Sequence, residues 1–311
     1  MKTRLTALCP AKINLFLHIT GHRQDGYHLL ESLFCPVDLA DELIIDIEPD
    51  TSQSGLQITR KGPLAALSED VDLTVRACHA FFQAAPIDPY QTLHIHVRKN
   101  IPQQAGLGGG SSNAAAVLRL LQSHYQQPLS NHALATLALQ LGADVPFFLQ
   151  SQSAFAQGIG EQLTHFDGLD HPIILVKPPQ NCPTAEVFRH KELTRDSSPV
   201  KIAVFDSGQL DSSGKVGPRF WHFLRASTQN SLQKAVEQTW PDWAQLFKQF
   251  DQVAQKHEAV LCRMSGSGSA MFAVFQNQSD CTKAYESLCK LPGEVFMSKI
   301  LAVESKQGSS V

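Results

Sequence analysis

Four short stretches carry residue types that can do chemistry. The loop GLGGGSSNA, at 106–114, sets four glycines and two serines directly ahead of an apolar-periodic segment. Glycine lets the backbone take positive φ and turn its N–H groups inward. A helix start adds unpaired N–H groups and a partial positive charge, so such a loop can bind a polyphosphate. In isolation the same string also reads as a flexible linker or a tight turn. Two familiar phosphate motifs fit poorly. A Walker A loop ends in Gly-Lys-Ser/Thr, whereas Gly110 is followed by Ser111 with no lysine after it. The dinucleotide fingerprint needs glycine where Ser111 stands and opens an N-terminal βαβ unit, which this loop lies too deep in the chain to do.

Lys12, in PAKINLFL at 10–17, can neutralise a phosphate or lower the pKa of a nearby hydroxyl; the plain alternative is a solvated lysine. Asp144, in GADVPFF at 142–148, reads as a partly buried base or as a turn or capping residue. The stretch MSGSGSAMF, at 264–272, places small residues between two apolar runs and reads by itself as a β-hairpin loop.

These residues need elements to hold them. Ile13, Leu15, Leu17 and Ile19 alternate with Asn14, Phe16, His18 and Thr20, the period of a strand, and 21–26 reads as a turn. Strands are also expected over 43–47 and where Leu93, Ile95 and Val97 alternate with His94, His96 and Arg98, with a helix over 71–84 between them. After the glycine loop, Ala114, Val117, Leu118, Leu121 and Tyr125 share one helical face. Ser130 is a fit N-cap for a second helix, and Gly142 a stop after it. Further on, a strand at 173–176 precedes a Ser-, Gly- and Asp-rich stretch, 195–218, read as a mobile surface excursion. Trp243, Leu246, Phe247, Phe250, Val253 and Ala254 make a helical stripe with Pro241 in its first turn. Strands at 260–264 and 271–275, a helix capped near Ser279 and a strand at 296–303 complete an α+β sandwich.

Composition narrows the function. At 311 residues the chain is long enough for two domains sharing a cleft. A formal charge of −3 and isolated basic pairs leave no basic excess for a nucleic-acid backbone. No apolar run approaches the ~20 residues that cross a bilayer, and Pro10, Lys12 and Asn14 interrupt any export signal. Seven scattered cysteines, with no CxxC, predict free thiols in a reducing, cytoplasmic setting. His94 and His96 share a strand face, but no third residue at metal-ligand spacing joins them.

The order PAKINL, GLGGGSSNA, GADVPFF, SGSGSA resembles the galactokinase, homoserine, mevalonate and phosphomevalonate (GHMP) kinase superfamily. Within it, PAKINLFLHITGHRQDGYHLLESLF at 10–34 is similar to members that phosphorylate a cytidine diphosphate-linked methylerythritol. The resemblance is dense through about residue 149, continues in AFAQGIGE at 154–161 and PTAEVF at 183–188, and is thin over 195–261. It implies a two-domain α+β fold. An N-terminal ATP-binding domain, 1–160, is ribosomal protein S5 domain 2-like; a C-terminal domain, 161–311, is a ferredoxin-like α/β sandwich; the active site lies in the cleft between them. It also implies ATP and Mg2+ as cofactors and transfer of a phosphoryl group to the acceptor's 2-hydroxyl, in isoprenoid precursor synthesis. Asp144 matches the catalytic aspartate and Lys12 its partner beside the hydroxyl. Pro102, Gln103, Gln104, Ala105, Gly106, Leu107, Gly108, Gly109, Gly110, Ser111 and Ser112 match the nucleotide-binding segment. Asn14 would hold the acceptor, Tyr27 and Phe188 would sandwich the cytosine, and His28 would bond its edge; no side chain is assigned to the metal. The implied partner is this small molecule alone, without nucleic acid or membrane, in a monomer or weak homodimer.

The chain departs from the superfamily pattern at three places. Gln104 and Ala105 stand where glycines are usual, Asp72 where an asparagine usually lies near the adenine, and Ser231 follows Asn230 where Asn-Asp is common, at a place expected to lie away from the reaction centre. Two other readings stay open: another small-alcohol kinase of the homoserine or mevalonate type, and a nucleotide-binding sensor without turnover.

Overall fold

A computed structural model describes residues 2–50, 52, 54–200 and 215–302. The chain divides into two compact units, one made of Met1–Ala11, Leu39–Gln103 and Gly108–Ser151, the other of Lys12–Asp38, Gln104–Leu107 and Gln152–Val311.

Two long strands, β1 (Thr3–His22) and β2 (His28–Pro49), contribute residues to both units. Within the first unit the second half of β2 pairs antiparallel with β4 (Gln91–Arg98), from Glu42 opposite Arg98 to Pro49 opposite Gln91. A short β3 (Gln57–Lys61) lies parallel to β4 on its other side. The alternation expected for β4 is what forms: Leu93, Ile95 and Val97 are buried, while His94 and His96 are only half-buried. Among its described residues this unit also holds a 3-10 turn, Pro63–Ala66, and the α-helices α1 (Leu73–Ala84), α2 (Gly109–His124), α3 (Asn131–Leu141) and α4 (Val145–Gln150). Ser130 caps α3 as expected, accepting from the Ala133 N–H. Gly142 ends α3 with φ 167°, an extended conformation open to any residue, so a left-handed glycine stop is not what terminates the helix.

In the second unit an antiparallel sheet runs in the order β10 (Glu294–Lys299), β7 (Pro172–Lys177), β9 (Met271–Val274), β8 (Leu261–Met264). The β8–β9 pair is a hairpin, with Met264 opposite Met271. The first half of β2 pairs with β5 (Ala154–Gln157), which pairs with β6 (Gln162–His165). Among the described residues, helices α5 (Thr184–Arg189), α6 (Pro218–Ser227), α7 (Gln233–Thr239), α8 (Pro241–Lys256) and α9 (Gln278–Leu288) accompany the strands. The stripe predicted on α8 packs into the core: Trp243, Leu246, Phe250 and Ala254 are buried with Ile174, Val176 and Met271, and Phe247 and Val253 pack at the edge.

Three expectations need revision. Asn277, not Ser279, caps α9, its side chain accepting from the Asp280 N–H; Asn277 takes the extended backbone a cap needs, and Ser279 already lies in the first turn. Strand β1 begins ten residues before Ile13, and β2 is far longer than 43–47. On β1 every residue from Cys9 to Ile19 is buried, the polar alternates included. Their polar atoms find partners: Asn14 donates to Ser32 Oγ at 2.8 Å, and His18 Nε2 accepts from the Gln229 N–H at 3.1 Å. Period-two alternation therefore marks the strand here without marking an exposed face.

Most of the excursion read over 195–218 lies outside the described residues; its last residue, Pro218, opens α6. Residue 303, at the end of the last predicted strand, also lies outside them. All seven cysteines are free. Among the described residues no helix is long and apolar enough to cross a membrane.

Candidate active site

The glycine loop is shared between the units, with Pro102, Gln103 and 108–112 in the first and Gln104–Leu107 in the second. In the first unit, α2 starts at Gly109 behind Gly108, whose φ of 71° is left-handed and which has no side chain to cap the helix. The opening N–H groups of a sixteen-residue helix are thus available to an anion. Ser112 adds a buried hydroxyl with no protein partner. A Cβ at Gly109 would sit 3.1 Å from Ile101 Cγ2 and 3.2 Å from Lys99 Nζ, a tight fit to which those side chains would have to yield.

One buried carboxylate sets where this helix begins. Asp41 accepts from the N–H groups of Asn100 at 2.8 Å and Ile101 at 2.9 Å, from Asn113 Nδ2 at 3.0 Å, and from the Lys99 ammonium. It thereby ties the end of β4, where the glycine loop departs, to the second turn of α2. Motif reading passed over Asp41. The signal was available in the strand pairing, since the Glu42–Arg98 register carries Asp41 on to Lys99. Asp41→Ala would leave the Lys99 ammonium and three N–H donors without their acceptor. Loss of one partner of a buried pair costs about 3–5 kcal/mol, so the urea-unfolding midpoint falls sharply; an unchanged midpoint would strip Asp41 of this role.

In the second unit, 104–107 lie against the hairpin loop between β8 and β9. Ser265 Oγ donates to the Gly106 carbonyl at 3.1 Å, the Ala270 N–H to the Ala105 carbonyl at 3.1 Å, and the Lys12 N–H to the Leu107 carbonyl at 2.9 Å. A Cβ on Gly106 would run into the Ser265 carbonyl oxygen, which is why glycine stands there. The stretch that read as a bare hairpin loop is thus a support for the glycine loop. Gln104 is exposed and has φ 51°, a left-handed conformation that costs a non-glycine residue on the order of 1 kcal/mol. That geometry accounts for glycine being usual at its position.

Lys12 is not a solvated lysine. It is 4% exposed; its Nζ donates to Asn14 Oδ1 at 2.7 Å and stands 4.9 Å from the centre of the Phe34 ring. Ser32, which receives the Asn14 amide, donates in turn to the Phe16 carbonyl at 2.5 Å. Residues 12 and 14 share a strand face, and this chain of bonds fixes both side chains. In the first unit Asp144 is half-buried at the N-cap position of α4, and its side chain makes no capping bond to that helix.

Around the predicted base clamp, Tyr27 is 55% exposed and so is not a core aromatic. Phe188 is partly buried against the core of the second unit. His28 lies 5.1 Å from the Phe188 ring and 5.0 Å from that of His22. Its Nε2 is buried without a protein partner, and desolvation, then the neighbouring His22 and Arg195, hold its pKa below the usual value. A neutral ring with an unfilled hydrogen-bonding atom is thus offered beside two aromatics.

Asp72 is committed elsewhere. It caps α1, accepting from Thr74 N at 2.9 Å and Thr74 Oγ1 at 2.7 Å, and pairs with Arg60 at 3.3 Å. Its carboxylate is spent on the fold rather than left for a base.

The model of the GHMP kinases N terminal domain matches residues 72–152, and that of the GHMP kinases C terminal region matches 218–292. The chain is 39% identical to the 4-diphosphocytidyl-2-C-methyl-D-erythritol kinase of Paraburkholderia phytofirmans, over 92% of this chain and 90% of that one. It is 36% identical to the enzyme of the same name from Thiobacillus denitrificans, covering 90% and 89%. A crystal structure of 4-(cytidine 5'-diphospho)-2C-methyl-D-erythritol kinase superposes with a TM-score of 0.73 at 30% identity, over 95% of this chain and 99% of that one. Homoserine kinase from Cytophaga hutchinsonii superposes with a TM-score of 0.70 at 16% identity over 96% of each chain, a likeness of fold alone. The chain belongs to the 4-diphosphocytidyl-2-C-methyl-D-erythritol kinase family, within the GHMP kinases.

Proposed function

We propose that the protein transfers the γ-phosphoryl group of ATP to the 2-hydroxyl of 4-diphosphocytidyl-2-C-methyl-D-erythritol, in the cytoplasm, as a step of non-mevalonate isoprenoid precursor synthesis. The choice of acceptor is carried by the exposed Tyr27 beside His28, whose ring nitrogen has no protein partner. An acceptor that ends in cytosine fills such a place by stacking on the ring while its polar edge meets the nitrogen. Homoserine and mevalonate carry no base to put there.

Phosphoryl transfer asks a protein mainly for positioning and for stabilisation of charge. In this reading the N–H groups opening α2 and those of the glycine loop hold the polyphosphate. Asp144 takes the proton from the attacking hydroxyl, and Lys12, steadied by Asn14, polarises that hydroxyl and offsets negative charge on the transferred group. Magnesium would arrive with the nucleotide. Such an ion keeps phosphate oxygens and waters in its shell and asks few protein ligands. The Ser112 hydroxyl, a buried oxygen without a protein partner at the start of α2, is a group that could join that shell. Bound there, magnesium would neutralise charge on the phosphates.

The test is ADP release by purified protein with MgATP and, in turn, the cytidyl acceptor, homoserine or mevalonate. Turnover with the first alone is expected. Turnover only with another alcohol reassigns the acceptor, and ATP binding without any transfer makes the chain a sensor. Tyr27→Ala is expected to raise the acceptor KM about tenfold, the worth of 1–1.5 kcal/mol of stacking, with the ATP KM within twofold. An unchanged acceptor KM rejects the stacking role.

A further inference from the structure

The Asn230 side chain holds the loop against which Gly106 rests. Asn230 is buried; its Nδ2 donates to the Met264 carbonyl at 2.9 Å and the Gly266 carbonyl at 2.8 Å, and its Oδ1 accepts from the Leu232 N–H at 2.9 Å. Its neighbours are laid along β1, with the Leu17 N–H donating to Gln229 O at 2.9 Å and the Ser231 N–H to Leu17 O at 2.7 Å. One amide therefore joins the strand that carries Lys12 and Asn14 to both sides of the turn that begins the hairpin loop.

That loop in turn leaves Gly106 no freedom. A Cβ on Gly266 would stand 3.0 Å from the Gly106 carbonyl oxygen and 3.5 Å from Asn14 Oδ1, and a Cβ on Gly106 would lie 3.0 Å from Gly268 N. All three glycines are left-handed, with φ of 72°, 54° and 85° for Gly106, Gly266 and Gly268. Two backbones can approach this closely only without side chains. A shift of the hairpin loop must therefore move Gly106 and Leu107, and with Leu107 the bond it receives from the Lys12 N–H.

We propose that Asn230 is a positioning residue for the nucleotide: by holding Met264 and Gly266 it sets the hairpin loop and, through it, the Gly106–Leu107 part of the phosphate cradle. The proposal rests on the kinase reading given above. The chemistry selects asparagine, because two carbonyls need two N–H donors on one atom while the Leu232 N–H needs an acceptor beside them. A carboxylate would keep the second contact and turn oxygen against oxygen in the first.

Asn230→Asp tests this in the full chain. Loss of two buried hydrogen bonds is expected to raise the ATP Kd, measured by calorimetry, at least about tenfold, with a smaller change in acceptor KM. Hydrogen exchange of the Lys12 and Ala270 amides, which donate to Leu107 and Ala105, should quicken by a similar factor. Leu246→Ala, in the core of the same unit, is the control for lost stability and should leave the ATP Kd within about twofold at any comparable drop in Tm. Ser265→Ala, which deletes only the bond to the Gly106 carbonyl, should move Kd and exchange in the same direction, about threefold, and serves if Asn230→Asp does not fold. An unchanged Kd in folded Asn230→Asp, or in Ser265→Ala should the former not fold, overturns the proposal; so does an equal rise in Leu246→Ala. Neither readout needs the acceptor. A wild-type protein that binds ATP but phosphorylates no alcohol would sink the kinase reading while the binding and exchange results still judge Asn230.

Discussion

Asp144→Asn is expected to lower kcat about a thousandfold while ATP binds within about twofold of wild type. The substitution is nearly isosteric but removes the negative charge and, with it, the ability to accept a proton, which in a positioned base is worth about 10²–10⁴ in rate. Asparagine keeps the shape of the side chain at a half-buried position beside Pro146 and the buried Phe147 and Phe148. Single-turnover phosphoryl transfer with saturating ATP isolates the chemical step, and calorimetry gives the nucleotide affinity. A loss of both in equal measure would make Asp144 a structural residue and remove it from the chemistry.

Lys12→Met is expected to reduce kcat by about 10²–10³, the range seen when one preorganised group that stabilises developing charge is deleted. Methionine is the informative choice. It fills most of the space of a lysine that is only 4% exposed, so packing against Phe34 survives while the charge is lost. Lys12→Ala should be at least as slow and also less stable, since it opens a cavity. The bond from Nζ to Asn14 Oδ1 disappears in both, so a rise in acceptor KM with a smaller loss of kcat would place Lys12 in acceptor binding. Wild-type kcat in Lys12→Met would exclude it from the mechanism.

The features legible in the sequence share one property: the residues that create them are near neighbours in the chain. The stripe on α8 and the alternation on β4 need only a window of ten or so residues, as does the cap at Ser130. The short elements β3, β5, β6, α5 and α7 are not separable from loops in the sequence, since unlike the equally short β7 and β9 they lack a continuous run of four apolar residues to mark them. The helix α6 is not evident from the sequence because it opens on Pro218, a residue that reads equally well as a loop end or as a first helical residue.

By itself the sequence determined the kind of chemistry. Glycines and serines ahead of a helix, a lysine on an early strand, an aspartate two residues before a proline and small residues between two apolar strands are local choices, and their order along the chain resembles that of the superfamily. Tertiary structure alone decided how these parts are held. Asp41 meets Asn113 across 72 positions, and Asn230 meets Gly266 across 36. Whether Lys12 is solvated or buried depends on Asn14 and Phe34 packing around it, and whether Tyr27 is core or surface on what covers its ring. Such pairings exist only once the chain has closed the loops between them, so a window of neighbouring residues carries no trace of which distant partner will satisfy a buried amide or carboxylate.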